Sequence, residues 1–419
     1  MSLPRYAEYK DSGVEWLGEV PAHWRVYPLK RELDFLTSGS RGWAEHYADD
    51  GALFIRIGNL TRDDIRLDLT DIQRVAVPDG AEGERTKVRP GDILFSITAY
   101  LGSVAVAPDG LEPAFVSQHV ALARLRKGNV LPVWVAYVAL SWVGKTYLET
   151  QGYGGTKVQL SLDDVANLLL TVPPLHEQTV IASFLDRETA KIDALIAEQD
   201  KLLALLAEKR QATISHAVTK GLDPDVPMKD SGVDWLGEVP THWHIRPLKH
   251  LVSFSSGGTP SKENLDYWNG DVPWASAKDL KVETLQDTED HITQHAVSSG
   301  AASTLPAGSV LVVVRGMILA RTFPVVRIAV PMAINQDLKG LQAIGSLDTG
   351  SLAWLLRGSA DESLRRLDEA GHGTKALRMD AWSSMLLPVP PTGEQADIAA
   401  FLDCETARLD ALLIRPHKD

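Results

Sequence analysis

The sequence predicts an α+β fold with two tandem mixed α/β domains joined by long helices, because two blocks occur twice. Residues 10–30, KDSGVEWLGEVPAHWRVYPLK, return as residues 229–249 with 16 of 21 positions identical. Residues 173–195 return as residues 390–412 with 15 of 23 positions identical. The stretches between these blocks have diverged. The chain therefore combines two nearly constant modules with two variable ones.

Length and composition are consistent with two ordinary globular domains. A chain of 419 residues can hold two domains, and shifts of 219 and 217 residues are too long for a solenoid repeat. The single cysteine, Cys404, excludes an internal disulfide and fits a reducing compartment, so we expect a cytoplasmic protein. The most apolar run, 310–320, is too short to cross a bilayer, and the N-terminus does not resemble a signal peptide.

The negative charge lies mainly outside the variable regions. The formal net charge is −13, of which residues 25–164 contribute −2 and residues 246–380 contribute −1. Because a local cluster of Lys and Arg is what meets phosphate, the total charge does not exclude a nucleic-acid partner. The negative net charge does argue against a protein that coats nucleic acid without specificity.

Both variable regions contain the same order of predicted elements. Gly and Ser residues indicate turns, β-branched runs indicate strands, and Pro132 suits the first position of a helix. In order, the elements are a Gly/Ser turn (37–41 and 255–260), an apolar strand ending in a polar turn (54–59 and 272–279), a Gly-led strand (91–98 and 308–315), an amide-containing stretch (116–119 and 334–337), a helix (133–148 and roughly 352–367) and a Gly-rich turn (152–157 and 371–375).

A long helix is predicted after each variable region. The first begins after Pro173-Pro174 and runs to about Ser215, with an imperfect coiled-coil seam, and the second should be about half as long. Alternatively, each helix only packs on its own domain. The apolar residues expected to pack against a helix or a partner are Phe184, Leu185, Ile192, Leu195, Leu202, Leu206, Phe401, Leu402, Leu409 and Leu412.

Several sequence motifs, spread across the whole chain, carry a resemblance to a known family. The repeated SGVEWLGEVP(A/T)HW and PP-x-x-EQ-x-x-I-x-x-FLD-x-ET motifs, with GGTPS and YWNGDVPW in the second variable region, resemble the specificity subunit of a type I restriction–modification system. The resemblance implies that the helices pair as an antiparallel coiled coil, although the distal helix is short for the family. It implies a first target-recognition domain with the Trp-rich segment (1–170), a central helix (171–218), a linker, Trp-rich segment and second recognition domain (219–387), and a distal helix and tail (388–419).

The resemblance also implies a function. Such a chain would be a non-catalytic DNA-specificity subunit that reads a bipartite double-stranded site, one domain per half-site. Two modification (methyltransferase) subunits would dock on the repeated blocks, and a restriction (motor/nuclease) subunit would join in a restricting complex. S-adenosylmethionine, ATP and Mg would belong to those partners, with no cofactor on this chain. The alternatives are a stand-alone sequence-specific DNA-binding regulator and a two-headed adaptor for protein or glycan ligands.

The sequence contains no catalytic motif that these reactions would need. A GxxxxGK(S/T) loop and the Asn/Asp-Pro-Pro-Tyr/Phe tetrapeptide of adenine methyltransferases are both absent. His242 and His244 flank Trp243, but His244 corresponds to Arg25 in the other copy, so ordinary histidines are the better interpretation. We therefore expect neither catalytic nor metal-binding residues.

DNA reading needs phosphate contacts and side chains that reach base edges. Arg41 and Arg315 are the strongest candidates, because bidentate arginine–guanine contacts are the commonest specific readout. For each candidate the alternative is a turn former or a solvated charge. The repeated Trp16, Trp24, Trp235 and Trp243 are expected to be structural or to face a partner. The DNA-binding candidates are Ser38, Ser40, Arg41, Arg56, Asn59, Thr98, Tyr153, Lys157, Thr259, Lys262, Lys278, Arg315, Thr374 and Lys375.

Overall fold

The structure of the protein is a computed structural model with two compact units, residues 1–195 (unit 1) and 196–419 (unit 2). It describes residues 5–14, 16–39, 41–77, 81–153, 158–369 and 374–413. Within these residues, no helix has the length and apolar character needed to span a membrane.

Unit 1 is a mixed α/β domain followed by the first part of a long helix. Its helices are α1 (Ala81–Thr86), α2 (Pro132–Leu140), α3 (Trp142–Gln151), α4 (Leu162–Ala166) and α5 (Leu175–Lys220), which continues into unit 2. Its strands are β1 (Tyr9–Asp11), β2 (Glu19–Pro21), β3 (Arg25–Pro28), β4 (Leu33–Ser38), β5 (Tyr47–Ala48), β6 (Ala52–Ile55), β7 (Arg74–Val75), β8 (Ile93–Ser96), β9 (Val104–Val106), β10 (Ala114–Val116), β11 (Val120–Leu125) and β12 (Leu169–Val172).

Two four-stranded sheets form the body of unit 1. Their strand orders are β10-β6-β7-β5 and β4-β11-β8-β9, and the pairs β1-β2 and β3-β12 stand apart. All four residues of β8 are buried, because apolar cores lie on both of its faces. The Gly-led run in the sequence therefore corresponds to a central strand.

The helix predicted over 133–148 is two helices in the structure. Ser141 adopts an extended conformation with ψ 159°, and its side chain accepts a hydrogen bond from the Gly144 backbone N–H. A serine in this conformation caps the start of α3, so the chain turns between α2 and α3. In unit 2 the predicted helix 352–367 is likewise divided, into Thr349–Gly358 and Ala360–Leu364.

Unit 2 repeats the scheme around a five-stranded sheet, β16-β25-β21-β23-β18, and a four-stranded sheet, β19-β17-β24-β20. Its helices are α6 (Gln294–Ser298), α7 (Thr349–Gly358), α8 (Ala360–Leu364), α9 (Met379–Ser383) and α10 (Thr392–Leu413). Its strands are β13 (Met228–Asp230), β14 (Glu238–Pro240), β15 (His244–Pro247), β16 (Val252–Ser256), β17 (Trp268–Ala275), β18 (Thr284–Leu285), β19 (His291–Ile292), β20 (Thr304–Leu305), β21 (Val310–Val313), β22 (Arg315–Gly316), β23 (Val325–Ile328), β24 (Met332–Ile334), β25 (Leu338–Ala343), β26 (Leu367–Glu369), β27 (Lys375–Leu377) and β28 (Leu386–Val389).

The last turns of α5 belong to the core of unit 2. Ile214, Ala217 and Val218 are buried in the same hydrophobic cluster as the central strand β21. The contact is close: a Cβ atom at Gly358 of α7 would lie 2.4 Å from Cγ2 of Val218. The helix ends at Lys220 because Gly221 has φ +81°, the left-handed conformation that terminates helices.

Helix α10 runs antiparallel to this end of α5. Gly221 lies beside Glu394 at the start of α10, and Arg210 Nε donates to Asp410 Oδ1 at 3.3 Å near its end. The described part of α10 has 22 residues against 46 for α5, which confirms that the distal helix is about half as long.

A glutamate at the start of each long helix holds the Trp-rich segment. In unit 1, Trp24 Nε1 donates to Glu177 Oε1 at 3.2 Å, His23 Nε2 lies 2.8 Å from Oε2, and the Tyr6 hydroxyl also donates to this carboxylate. In unit 2, Trp243 Nε1 and His242 Nε2 contact Glu394 Oε2 at 3.0 and 2.8 Å. In each unit, therefore, the first repeated block contacts the second repeated block through the same residue types.

The following glutamine fixes the same helix to the body of its domain. Gln178 accepts from the Leu131 backbone N–H and donates to the carbonyls of Asn129 and Pro173. In the other copy, Gln395 accepts from the Asp348 N–H and donates to the Pro390 carbonyl. Both side chains are buried, so each needs these backbone partners for its own polar atoms.

An aspartate further along each long helix makes an additional contact with the body of the domain. The Tyr137 hydroxyl of α2 donates to Asp186, and Trp354 Nε1 of α7 donates to Asp403 at 2.9 Å. Glutamate, glutamine and aspartate of the repeated motif therefore have partners inside their own unit, and we call this set the helix-start clamp.

Neutralising Glu177 should make unit 1 less sensitive to acid. Burial by itself raises the pKa of Glu177, but the hydrogen bonds from Tyr6, His23 and Trp24 outweigh it and the net pKa is lowered. Because folding lowers this pKa, the Glu177 carboxylate stabilises the fold at pH values above its ordinary pKa of 4.5. This contribution is lost as the pH falls further. Glu177→Gln should cost about 1–2 kcal/mol at pH 7, and its difference from wild type should shrink as the pH falls below 4.5.

Urea denaturation of the two proteins across this pH range would measure the effect. Glu198→Gln, on an exposed part of α5, is the matched control. A Glu177→Gln difference that stays constant from neutral to acidic pH would contradict the role of the carboxylate.

Candidate nucleic-acid interface

Five loop segments of unit 1 meet where the parallel strands β6 and β10 end. Ile55 pairs with Val116 as the last residues of these strands, and the Ser117 N–H donates to the Ile55 carbonyl at 2.9 Å. The Gly/Ser turn joins them, since the Gly39 N–H donates to the Val120 carbonyl at 3.4 Å. The polar turn after β6 and the amide stretch after β10 therefore share one end of the sheets.

Two more segments complete this end. The Ile97 N–H donates to the His119 carbonyl at 3.0 Å, which places the end of the β8 run beside the amide stretch. Isolated β-bridges then join Thr98 to Gln159 and Tyr153 to Gln159. We call the described parts of residues 38–41, 56–59, 97–100, 116–119 and 153–159 the loop edge of unit 1.

Unit 2 builds the same edge from different residues. Ala275 pairs in parallel with Ile334, and the Asn335 N–H donates to the Ala275 carbonyl at 2.9 Å. The Val314 N–H donates to the Asp337 carbonyl at 2.8 Å, and Arg315 pairs with Ala376. Residues 256–259, 276–279, 314–317, 334–337 and 374–376 form the loop edge of unit 2.

The glycine of each Gly/Ser turn is required by the fold itself. A Cβ atom at Gly39 would lie 2.1 Å from the Val116 carbonyl oxygen, and one at Gly257 would lie 2.1 Å from that of Asn335. The structure shows that the backbone here approaches the neighbouring strand end.

Several predicted DNA-binding residues are exposed on the loop edges. Arg41 and Arg315 are exposed, and among the described residues neither side chain has an ion-pair or hydrogen-bond partner. Tyr153 is 52% exposed and Thr259 is also exposed, with its hydroxyl donating to Gln336. Unpaired arginines on such an edge can reach phosphate or base edges without breaking an internal contact.

Other predicted residues are partly covered or lie off the edge. Ser38, Arg56, Thr374 and Lys375 are half-buried, and Lys262 is exposed three residues after Thr259. Ser40 and Lys157 lie outside the described residues.

Two predicted readers are buried instead. Asn59 is 3% exposed; its Oδ1 accepts from the Arg56 N–H and its Nδ2 donates to the carbonyls of Asp68 and Asp71 at 2.9 Å each. Asp279 makes the corresponding bond to the Ser276 N–H in unit 2. Thr98 is 7% exposed. Asn59 is therefore a turn-forming residue, and its amide is not presented to a ligand.

Two predicted cations already have anionic partners. Lys278 Nζ lies 2.9 Å from Asp290 and 3.1 Å from Glu289, and its hydrogen bonds to these carboxylates raise its pKa. Arg56 Nη2 lies 3.1 Å from Asp71. These exposed pairs cost little to break, but they leave less net positive charge for phosphate than the sequence suggests.

Unpaired polar atoms gather at the loop edge of unit 1. Arg56 Nε, Thr98 Oγ1 and Ser117 Oγ are buried without a hydrogen-bond partner among the described residues. Buried polar atoms normally have partners; among the described residues, the other atoms of this kind are Trp43 Nε1, Ser103 Oγ and Trp235 Nε1.

Sequence reasoning missed several residues of the edges. Gln118 and Gln336 occupy the same position in both amide stretches, and that identity was a usable signal. Tyr100 and Met317 are large, exposed side chains on the edges, and only the fold shows their exposure.

The predicted packing residues of the two helices differ in exposure. Leu402 and Leu409 of α10 are buried, and Phe184, Leu185 and Leu206 are half-buried. Leu202 lies eight residues before Arg210, whereas the described part of α10 ends three residues after Asp410. The described antiparallel pairing therefore stops short of Leu202. The predicted packing residues that remain exposed are Ile192, Leu195, Leu202, Phe401 and Leu412.

Within the described residues, no group of three or more His, Cys, Asp or Glu side chains could hold a metal ion. The loop edges offer hydrogen-bonding and cationic groups on two matched scaffolds.

Comparison with known proteins identifies the family. Residues 55–204 and 240–411 match the family model described as the type I restriction modification DNA specificity domain. The chain belongs to this family. It holds two copies of the family's domain, one in each variable region with its helix, and the fold is α+β with two tandem domains and a 46-residue central helix.

Curated relatives share the same description. The specificity subunit of the type I restriction enzyme EcoR124I/EcoR124II of Escherichia coli is 30% identical over 54% of this chain and 51% of its own length. The MjaIX specificity subunit of Methanocaldococcus jannaschii is 24% identical over 40% of this chain and 38% of its own. The alignments thus span about half of these relatives or less.

Solved structures agree on the fold. One, described as "Structural basis underlying complex assembly and conformational transition of the type I R-M system", matches with a TM-score of 0.65 at 21% identity, over 94% of this chain and 92% of that one. The HsdS subunit from Thermoanaerobacter tengcongensis matches with a TM-score of 0.53 at 16% identity, over 94% and 91%.

Substitution of Gly39 should destabilise unit 1. Gly39→Ala forces its Cβ against the Val116 carbonyl, and the backbone shift that relieves the clash should cost about 1–3 kcal/mol. Urea denaturation measures the change. Gly58→Ala is the control, because a Cβ there meets nothing within 4 Å. Equal stability of both variants would show that the turn yields without cost.

Asn59→Ala should behave as a core substitution. It removes three part-buried hydrogen bonds between the side chain and the backbone, at a cost of about 1–3 kcal/mol. Arg41→Ala, on the same edge but exposed, should change stability by less than about 0.5 kcal/mol. Denaturation midpoints that rank the two variants in the opposite order would refute the structural role of Asn59.

Proposed function

We propose that this chain is the non-catalytic subunit that gives a type I restriction–modification complex its DNA specificity. Each unit reads one half of a bipartite double-stranded site with its own loop edge. The main support is that the same edge is built twice on matched scaffolds but carries different side chains. Arg41 corresponds to Thr259, and the exposed Arg315 corresponds to the buried Thr98. Equal scaffolds with unequal donors suit two different half-sites.

The same proposal gives the repeated blocks a partner. Leu195 and Leu412 occupy equivalent positions on the two helices, and both are exposed apolar residues. A surface presented twice in this way suits two copies of one partner, the modification subunit. That partner would supply S-adenosylmethionine chemistry on an adenine, and a motor/nuclease subunit would supply ATP, Mg and cleavage.

Two alternatives predict different companions. A stand-alone regulator would bind its DNA site with no other subunit, and a two-headed adaptor would bind protein or glycan. Purification of the chain from its native host, with identification of the co-purifying subunits, separates the three. Recovery of the chain alone with undiminished sequence-specific DNA binding would favour the regulator.

Arg41 and Arg315 should each act on one half-site. In the assembled methyltransferase, Arg41→Ala should lose about 1–3 kcal/mol of discrimination in one half of the site and Arg315→Ala the same in the other half. Methylation mapping of genomic DNA would locate the relaxed positions. Arg89→Ala is the control, because Arg89 is exposed before the start of β8, away from the loop edge at its end.

Subunit stoichiometry, measured on the same preparations, should be unchanged. Relaxation of both half-sites by either arginine variant would contradict one domain per half-site.

A further inference from the structure

Both loop edges carry a large apolar side chain at one equivalent position. Tyr100 lies four residues after the end of β8 and is 54% exposed. Met317 lies four residues after the end of β21 and is 73% exposed. Single exposed apolar residues are common on protein surfaces, but here the same position of two diverged regions has one.

The backbone under Tyr100 is fixed on both sides. Its N–H donates to the Thr98 carbonyl at 2.8 Å, and its carbonyl accepts from the Ser103 N–H at 3.2 Å. The preceding Ala99 has φ +62°, a left-handed conformation that costs a non-glycine residue energy. Ala99 is nevertheless held there, with its N–H donating to the Val158 carbonyl at 3.2 Å.

Met317 is presented by a different local structure with the same result. Gly316, which pairs with Lys375, has φ +155°, and Met317 begins the 3-10 turn Met317–Ala320. Leu319 in that turn is buried and holds it against the domain. A side chain on an already ordered backbone loses less entropy when it enters an interface.

We propose that Tyr100 and Met317 are the apolar base-contacting residues of the two domains, each inserted into the groove of its own half-site. A thioether cannot donate a hydrogen bond, so the property common to both positions is apolar surface. In the major groove that surface matches the 5-methyl group of thymine, which is read by apolar contact. The inference rests on the proposed function and adds a second kind of readout to it.

The test uses the assembled methyltransferase and its mapped target site. Tyr100→Ala and Met317→Ala should each weaken binding to that site by about fivefold or more and relax preference at a position of one half-site. Tyr100→Phe and Met317→Leu, which keep the apolar surface, should bind as wild type. Ile344→Ala is the control, an exposed aliphatic residue at the opposite end of β25 from the loop edge.

Salt dependence separates an apolar contact from a phosphate contact. The slope of log affinity against log salt should be the same for wild type and the alanine variants, because no phosphate contact is lost. A Tyr100→Phe variant as weak as Tyr100→Ala, with a shallower slope, would overturn the proposal in favour of a hydroxyl–phosphate bond. Alanine variants with wild-type affinity and specificity would also overturn it.

The proposed function can fail independently. If Arg41→Ala and Arg315→Ala relax specificity while the Tyr100 and Met317 variants do not, only the apolar readout is wrong. If the assembled wild-type complex shows no sequence-specific binding or methylation, the DNA-specificity function itself is wrong.

Discussion

The structure depends on the helix-start clamp, in which a few polar side chains at the beginning of each long helix hold a whole domain. Glu177 and Glu394 accept from the indole of the Trp-rich segment, and Gln178 and Gln395 bond buried backbone of the domain. The two glutamine side chains are buried, so removing either one takes hydrogen-bond partners away from the backbone of its domain. The Trp-rich segment and the helix start contact each other, so a substitution in one is constrained by its partner in the other. This constraint explains why both repeated blocks have remained similar.

A fixed attachment allows the far end of each domain to vary. The loop edges keep only what the fold requires, namely a glycine where two backbones touch and a short polar side chain that closes the turn after the parallel strand. Asn59 and Asp279 do that last task with different chemistry. Exposed side chains such as Arg41 and Thr259 have no such role in the fold and can differ between the two units.

The sequence predicted the parts whose signal is local. Buried strands such as β8 and β21 were visible as β-branched runs, and both long helices were visible from their apolar spacing and the prolines before them. The break at Ser141 was missed because a serine inside a helical pattern gives no local sign that it caps a new helix. The burial of Asn59 was missed because its partners, Asp68 and Asp71, are placed only by folding. Leu202 is exposed because the described part of α10 does not reach it. The spacing of leucines on α5 gives no information about the length of α10.

The end of α5 has a consequence for how such chains can be inherited. Since Ile214, Ala217 and Val218 complete the core of unit 2, the stretch after the helix is not a self-sufficient module. A recombination event that joined a foreign second domain at residue 221 would leave that domain to pack on a helix it did not evolve with. Crossovers in the middle of the helix, where the side chains face solvent, would carry each domain with its own piece of core. Genetic exchange should therefore leave its junctions inside the helix rather than at the visible edge of the domain.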